Sequence, residues 1–78
     1  MHITFINDEH LALSRKYKHG WYIEIRNIND LEEVKSIQTL NFLEFHKFLK
    51  IKHSYLFGCY QGIIFTNKNY EVLARIKT

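Results

Sequence analysis

Proline is absent from this chain, glycine occurs three times and cysteine once in 78 residues. A sequence so poor in proline and glycine has no room for a flexible linker or a low-complexity tract. A lone cysteine cannot close an internal disulfide, and such usage fits a reducing compartment. No apolar run approaches the ~20 residues that a membrane-spanning helix requires. The opening "MHITFINDEH" turns acidic where a secretory signal would be apolar, so the expected location is cytoplasmic, with no membrane partner.

Motifs of catalysis are equally scarce. Ser14, Ser36 and Ser54 sit in no nucleophile-elbow context. Cys59, in strand-like "FGCYQ", reads as a small buried hydrophobe. The histidines at positions 2, 10, 19, 46 and 53 show no HxxxH spacing, and no CxxC exists, so zinc lacks a ligand set. "GCYQG" has the wrong spacing for a phosphate-cradling loop. The expectation is a protein that is not an enzyme and needs neither cofactor nor metal.

What the chain does hold is bulk. It is 46% hydrophobic and carries six Phe, five Tyr and one Trp. That composition argues against disorder and supplies the core of one domain, residues 1–78. A chain this short buries only about 60% of its unfolded surface. Each large aromatic covers roughly 150–250 Å². Twelve rings exceed what so small a core takes up, so some are expected on a contact surface.

Periodicity suggests the elements. "HITFI", residues 2–6, reads as a short strand. Residues 8–20 fit a helix by charge order, with Gly20 just beyond its end, but their apolar spacing fits a strand better. In the strand reading, His19 and Gly20 form a two-residue turn that sets Tyr17 opposite Tyr22 and Arg15 opposite Glu24. "WYIEIRNI", residues 21–28, is a clear strand. Trp21, Ile23 and Ile25 lie on one face, Tyr22, Glu24 and Arg26 on the other.

Asn29 with Glu32, and Asn41 with Glu44, have capping-box spacing. Leu31, Val34 and Ile37 trace one helical face; Phe42, Phe45, Phe48 and Leu49 trace another. "SYLFGCY" and "GIIFT" are strand-like around "QG", "NKN" is a turn, and "YEVLARI" alternates again. No sequence repeat stands out. The expected fold class is α+β, an antiparallel sheet with one or two helices packed on one face.

Two basic groups mark candidate contact surfaces on a chain of net charge +3. Arg15, Lys16, Lys18, His19 and Arg26 interleave with Tyr17, Trp21 and Tyr22. His46, Lys47, Lys50, Lys52 and His53 form the second. Cations beside aromatic faces are the ingredients of single-strand nucleic-acid binding, and Lys16, Lys18, Lys47 and Lys50 are the residues for it. Trp21 reads as core, however, and Glu24 would repel phosphate. Protein interfaces favour the same Trp, Tyr and Arg residues. Arg15, Tyr17, Tyr22 and Arg26 on one hairpin face fit that role, with Tyr60 and Tyr70 as further candidates. Asp30, Glu32 and Glu33 offer acid for a basic groove, and an open strand edge could pair a second copy into a homodimer.

A chain under eighty residues, rich in Lys, Asn and Ile and without enzyme motifs, resembles in character the small inhibitors that phages and prophages direct against bacterial defence. Anti-CRISPR proteins are among them. "WYIEIRNINDLEEV", residues 21–34, is similar to a strand-then-helix stretch of small phage-type proteins. The resemblance implies a cytoplasmic protein in a bacterial host that binds and blocks a nuclease complex without catalysis, sometimes as a dimer. It transfers no site residue. A small nucleic-acid-binding regulator and an antitoxin or immunity-type protein are the alternative expectations.

Overall fold

The computed structural model describes residues 2–78. Eight strands follow one another: β1 Ile3–Phe5, β2 His10–Tyr17, β3 Gly20–Asn27, β4 Glu33–Gln38, β5 Phe45–Ile51, β6 Ser54–Cys59, β7 Gly62–Asn67 and β8 Val72–Lys77. They form two four-stranded antiparallel sheets, β1-β2-β3-β4 and β5-β6-β7-β8, each a meander in chain order. The expected α+β class is therefore wrong. Among the described residues the only helical piece is a 3-10 turn at Leu40–Phe42, and no helix is long and apolar enough to cross a membrane.

Both expected helices have a local explanation. Phe45 and Phe48 sit three apart because a β-bulge falls between Phe45 and Lys47. The extra residue returns Phe48 to the face of Phe45, and that spacing imitates one turn of helix. Before β4, Asp30 rather than Asn29 orders the chain, its carboxylate accepting the Glu32 N–H at 3.0 Å. Leu31 turns through φ +60°, and Val34 and Ile37 continue as strand.

The β2–β3 hairpin is as expected in kind but shifted in register. Its loop is Lys18–His19, with Tyr17 opposite Gly20. Gly20 has φ +123°, a conformation that a side chain would strain. Arg15 therefore faces Tyr22 and Leu13 faces Glu24. The expected pairs survive as diagonal neighbours, still within reach of long side chains.

Strand alternation sorts the faces. Ala12, Ser14, Ile23, Ile25 and Ile37 of the first sheet turn inward to meet Phe45, Tyr55, Phe57, Cys59 and Ile64 of the second. Phe45 and Phe57 meet edge to face at 5.5 Å, and His2 stands edge-on to Phe45 at 5.1 Å. At another corner, Asn7 donates to the hydroxyls of Tyr55 and Tyr70, and Tyr70 lies 2.7 Å from His10 Nδ1. The result is a slab of 33 × 32 × 17 Å, its short axis the depth of two stacked sheets.

The two sheets are built alike, a repetition the sequence does not announce. In each, a two-residue loop joins the second and third strands, and a glycine follows, Gly20 or Gly62. In each, the third strand ends on asparagine, Asn27 or Asn67. A bulge then offsets the fourth strand, and a residue of positive φ, Leu31 or Tyr70, lies in the connection.

Gly62 illustrates the tightness of this packing. A Cβ built there lies 2.5 Å from the Phe42 ring. Gly62→Ala should displace that ring and lower stability by about 1–3 kcal/mol in urea unfolding.

Candidate protein-binding face

The outward face of the first sheet gathers the residues that the sequence marks for protein contact. Inter-strand register places Arg15 beside Tyr22, and Leu11 beside Arg26. Tyr17 reaches back over the same face, its ring edge-on to Tyr22 at 5.4 Å. The Arg15 guanidinium lies 5.5 Å from the centre of the Tyr17 ring. All four expected residues, Arg15, Tyr17, Tyr22 and Arg26, therefore come together.

Glu24 organises them. It points away from the core, yet its relative exposure is 0%. Tyr17 donates its hydroxyl to Glu24 Oε2. Arg26 donates Nε at 3.1 Å and Nη2 at 2.9 Å to Oε1, and Arg15 Nη1 stands 4.0 Å away. The third Arg26 nitrogen, Nη1, donates to the Leu31 carbonyl at 2.8 Å. Burial raises the Glu24 carboxyl, but the bonds from Tyr17 and Arg26 and the two arginine charges outweigh it. Its pKa lies below the ordinary 4.5. The bond to Glu24, more than burial, holds the Tyr17 phenol above its ordinary 10.0.

Two different roles follow for the arginines. Each of the three Arg26 nitrogens already donates inside the molecule. Arg15, with its side chain 53% exposed, rests on Tyr17 with donors still open to a partner.

The face extends over residues that the sequence did not single out. Ile3 pairs with Leu13 and Phe5 with Leu11, so all four share it. Phe5 is 69% exposed and Ile3 54%. An exposed phenylalanine on a three-residue edge strand has no folding role that requires it there. The signal was available in "HITFI": if Thr4 points inward, Ile3 and Phe5 point out.

The lysines do not assemble. Lys16 turns to the inward side near the half-buried Trp21, its Nζ 6.0 Å from that ring. Lys18 is in the loop, and Lys47 and Lys50 pair with Gly58 and Tyr55, on opposite faces of β5. Tyr60 is exposed, but Tyr70 is buried in the Asn7 and His10 cluster, and burial pushes its phenol up to about 12. Cys59 is buried, which pushes its thiol up to about 11. Among the described residues no group of three or more His, Cys, Asp or Glu is placed to hold a metal.

No protein-family model, no curated protein and no solved structure matches this chain.

Proposed function

We propose that this chain is a non-enzymatic binding protein that docks a protein partner on the outward face of its first sheet. The observation that carries this reading is one contiguous surface of Phe5, Ile3, Leu11 and Leu13 beside Arg15, Tyr17 and Tyr22. Binding hot spots are built from such aromatic and arginine anchors. An exposed apolar patch with a polar border is the ordinary mark of a protein contact. Glu24 supports it by fixing Tyr17 and Arg26 before any partner arrives, which lowers the entropy lost on binding.

The role we assign is inhibition of a bacterial defence protein by a phage or mobile-element product. Its support is the resemblance in size and composition to such inhibitors, together with a surface suited to blocking by contact. The lysines that nucleic-acid binding would require are divided between faces, so the protein partner is preferred.

Phe5→Lys with Arg15→Glu should weaken capture of the partner from a nuclease-treated bacterial lysate by about a hundredfold. Lys68→Glu, in the β7–β8 turn, should leave capture unchanged. Equal capture by the Phe5 and Arg15 double variant removes this face from consideration. Capture that vanishes with nuclease treatment transfers the role to nucleic acid.

A further inference from the structure

Among the described residues, strand β8 is the only strand exposed at every position, although its neighbour β7 alternates buried and half-buried residues. Its register fixes where its side chains go. Ala74 and Ile76 lie opposite Phe65 and Ile63 on the outward face of the second sheet. Arg75 and Lys77 lie opposite Ile64 and Gly62 on the inward side. Those inward-facing cations are exposed, so the first sheet does not reach over them. On the outward face, Leu49, Leu56, Phe65 and Ala74 stand in one cross-strand row. That row crosses the whole sheet and stops at the open edge of β8.

We infer that β8 accepts one further strand from a partner protein, an extended segment alternating apolar with acidic residues. Its backbone pairs with the free edge groups of β8. Its apolar side chains continue the row beyond Ala74 and Ile76, and its carboxylates face Arg75 and Lys77. A second copy of this chain fits poorly. Antiparallel pairing of β8 with itself, centred on Arg75 or Ile76, sets Arg75 opposite Arg75 or Lys77. Like charges directly opposite are unfavourable. Val72–Lys77 carries no carboxylate of its own, so Arg75 and Lys77 select an acidic strand from elsewhere.

The probe is a capped heptapeptide alternating Glu with Val, titrated into the isotopically labelled full chain. One control carries Lys in place of Glu, and another is N-methylated at alternate residues. The Glu peptide should slow hydrogen exchange at the β8 amides and bind about tenfold tighter than the Lys peptide. The methylated peptide should not bind, having lost its backbone donors. Arg75→Glu with Lys77→Glu should invert the preference, and the milder Arg75→Gln with Lys77→Gln should abolish it. The Phe5 and Arg15 double variant should bind the Glu peptide unchanged, which separates this edge from the face proposed above. Binding away from β8, or equal affinity for the Glu and Lys peptides, overturns the inference. So does protection of β8 that grows with protein concentration alone, since the occupant would then be a second copy.

Discussion

Arg26→Met should lower the stability of this protein by about 3–5 kcal/mol at neutral pH, although Arg26 lies on an outward face. The substitution leaves the Glu24 carboxylate out of water, with the Tyr17 hydroxyl and a guanidinium 4.0 Å away as its remaining partners. A buried charge that has lost its closest partner costs more than the lost contacts themselves. Adding Glu24→Leu removes that charge, so the double variant should return to within about 1 kcal/mol of the parent. Urea unfolding followed by the fluorescence of the single Trp21 measures all three proteins. A single variant as stable as the parent would show that Glu24 does not depend on Arg26.

The same pair sets a pH dependence. Because the folded-state pKa of Glu24 lies below 4.5, ionised Glu24 stabilises the fold fully above that pH. The contribution is lost as pH falls further, through the depressed value. In Arg26→Met the carboxyl loses a principal cation and accepts a proton more readily. The stability gap between parent and variant should therefore narrow as the medium is acidified below 4.5. Reversing Arg26 to glutamate would consequently report chiefly on folding, whereas Arg15, 4.0 Å from Glu24 and with its side chain 53% exposed, bears on folding less.

The elements that could be read from the sequence are those whose period is undisturbed. "WYIEIR" alternates cleanly, and its two faces are those of β3. That Arg15, Tyr17, Tyr22 and Arg26 share one face was recoverable because one hairpin carries all of them. The helices were misread where a bulge or a left-handed turn interrupts the alternation. Phe45 and Phe48 are an instance, since the bulge after Phe45 turns a period of two into a step of three. Glu24 was legible as an outward residue but not as a buried one. Its burial comes from Tyr17 and Arg26, long side chains that close over it only once the register is known. Phe5 escaped notice because its strand has three residues, and nothing within them says which side of the alternation turns inward.

Phe57→Ala should have the second large effect, about 3–5 kcal/mol of lost stability. Phe57 is fully buried on the inward side of β6, a central strand of the second sheet. It meets Phe45 at 5.5 Å and Phe48 at 5.3 Å. Those neighbours are held by the β5 ladder and cannot collapse into the space that alanine leaves. The cost therefore includes a cavity as well as the lost transfer of the ring. Phe57→Leu, which keeps most of the volume, should cost under about 1.5 kcal/mol. Domains this small sit near the low end of a range of about 5–15 kcal/mol, so the alanine variant should be substantially unfolded in mild urea. It should then lose both contact surfaces together, capture by the first sheet and strand addition at β8. The Phe5 and Arg15 double variant, fully folded by circular dichroism, should lose only the first. An alanine variant that stayed folded while losing capture alone would mean that the second sheet acts on the binding face directly, and that the division of labour between the two sheets is wrong.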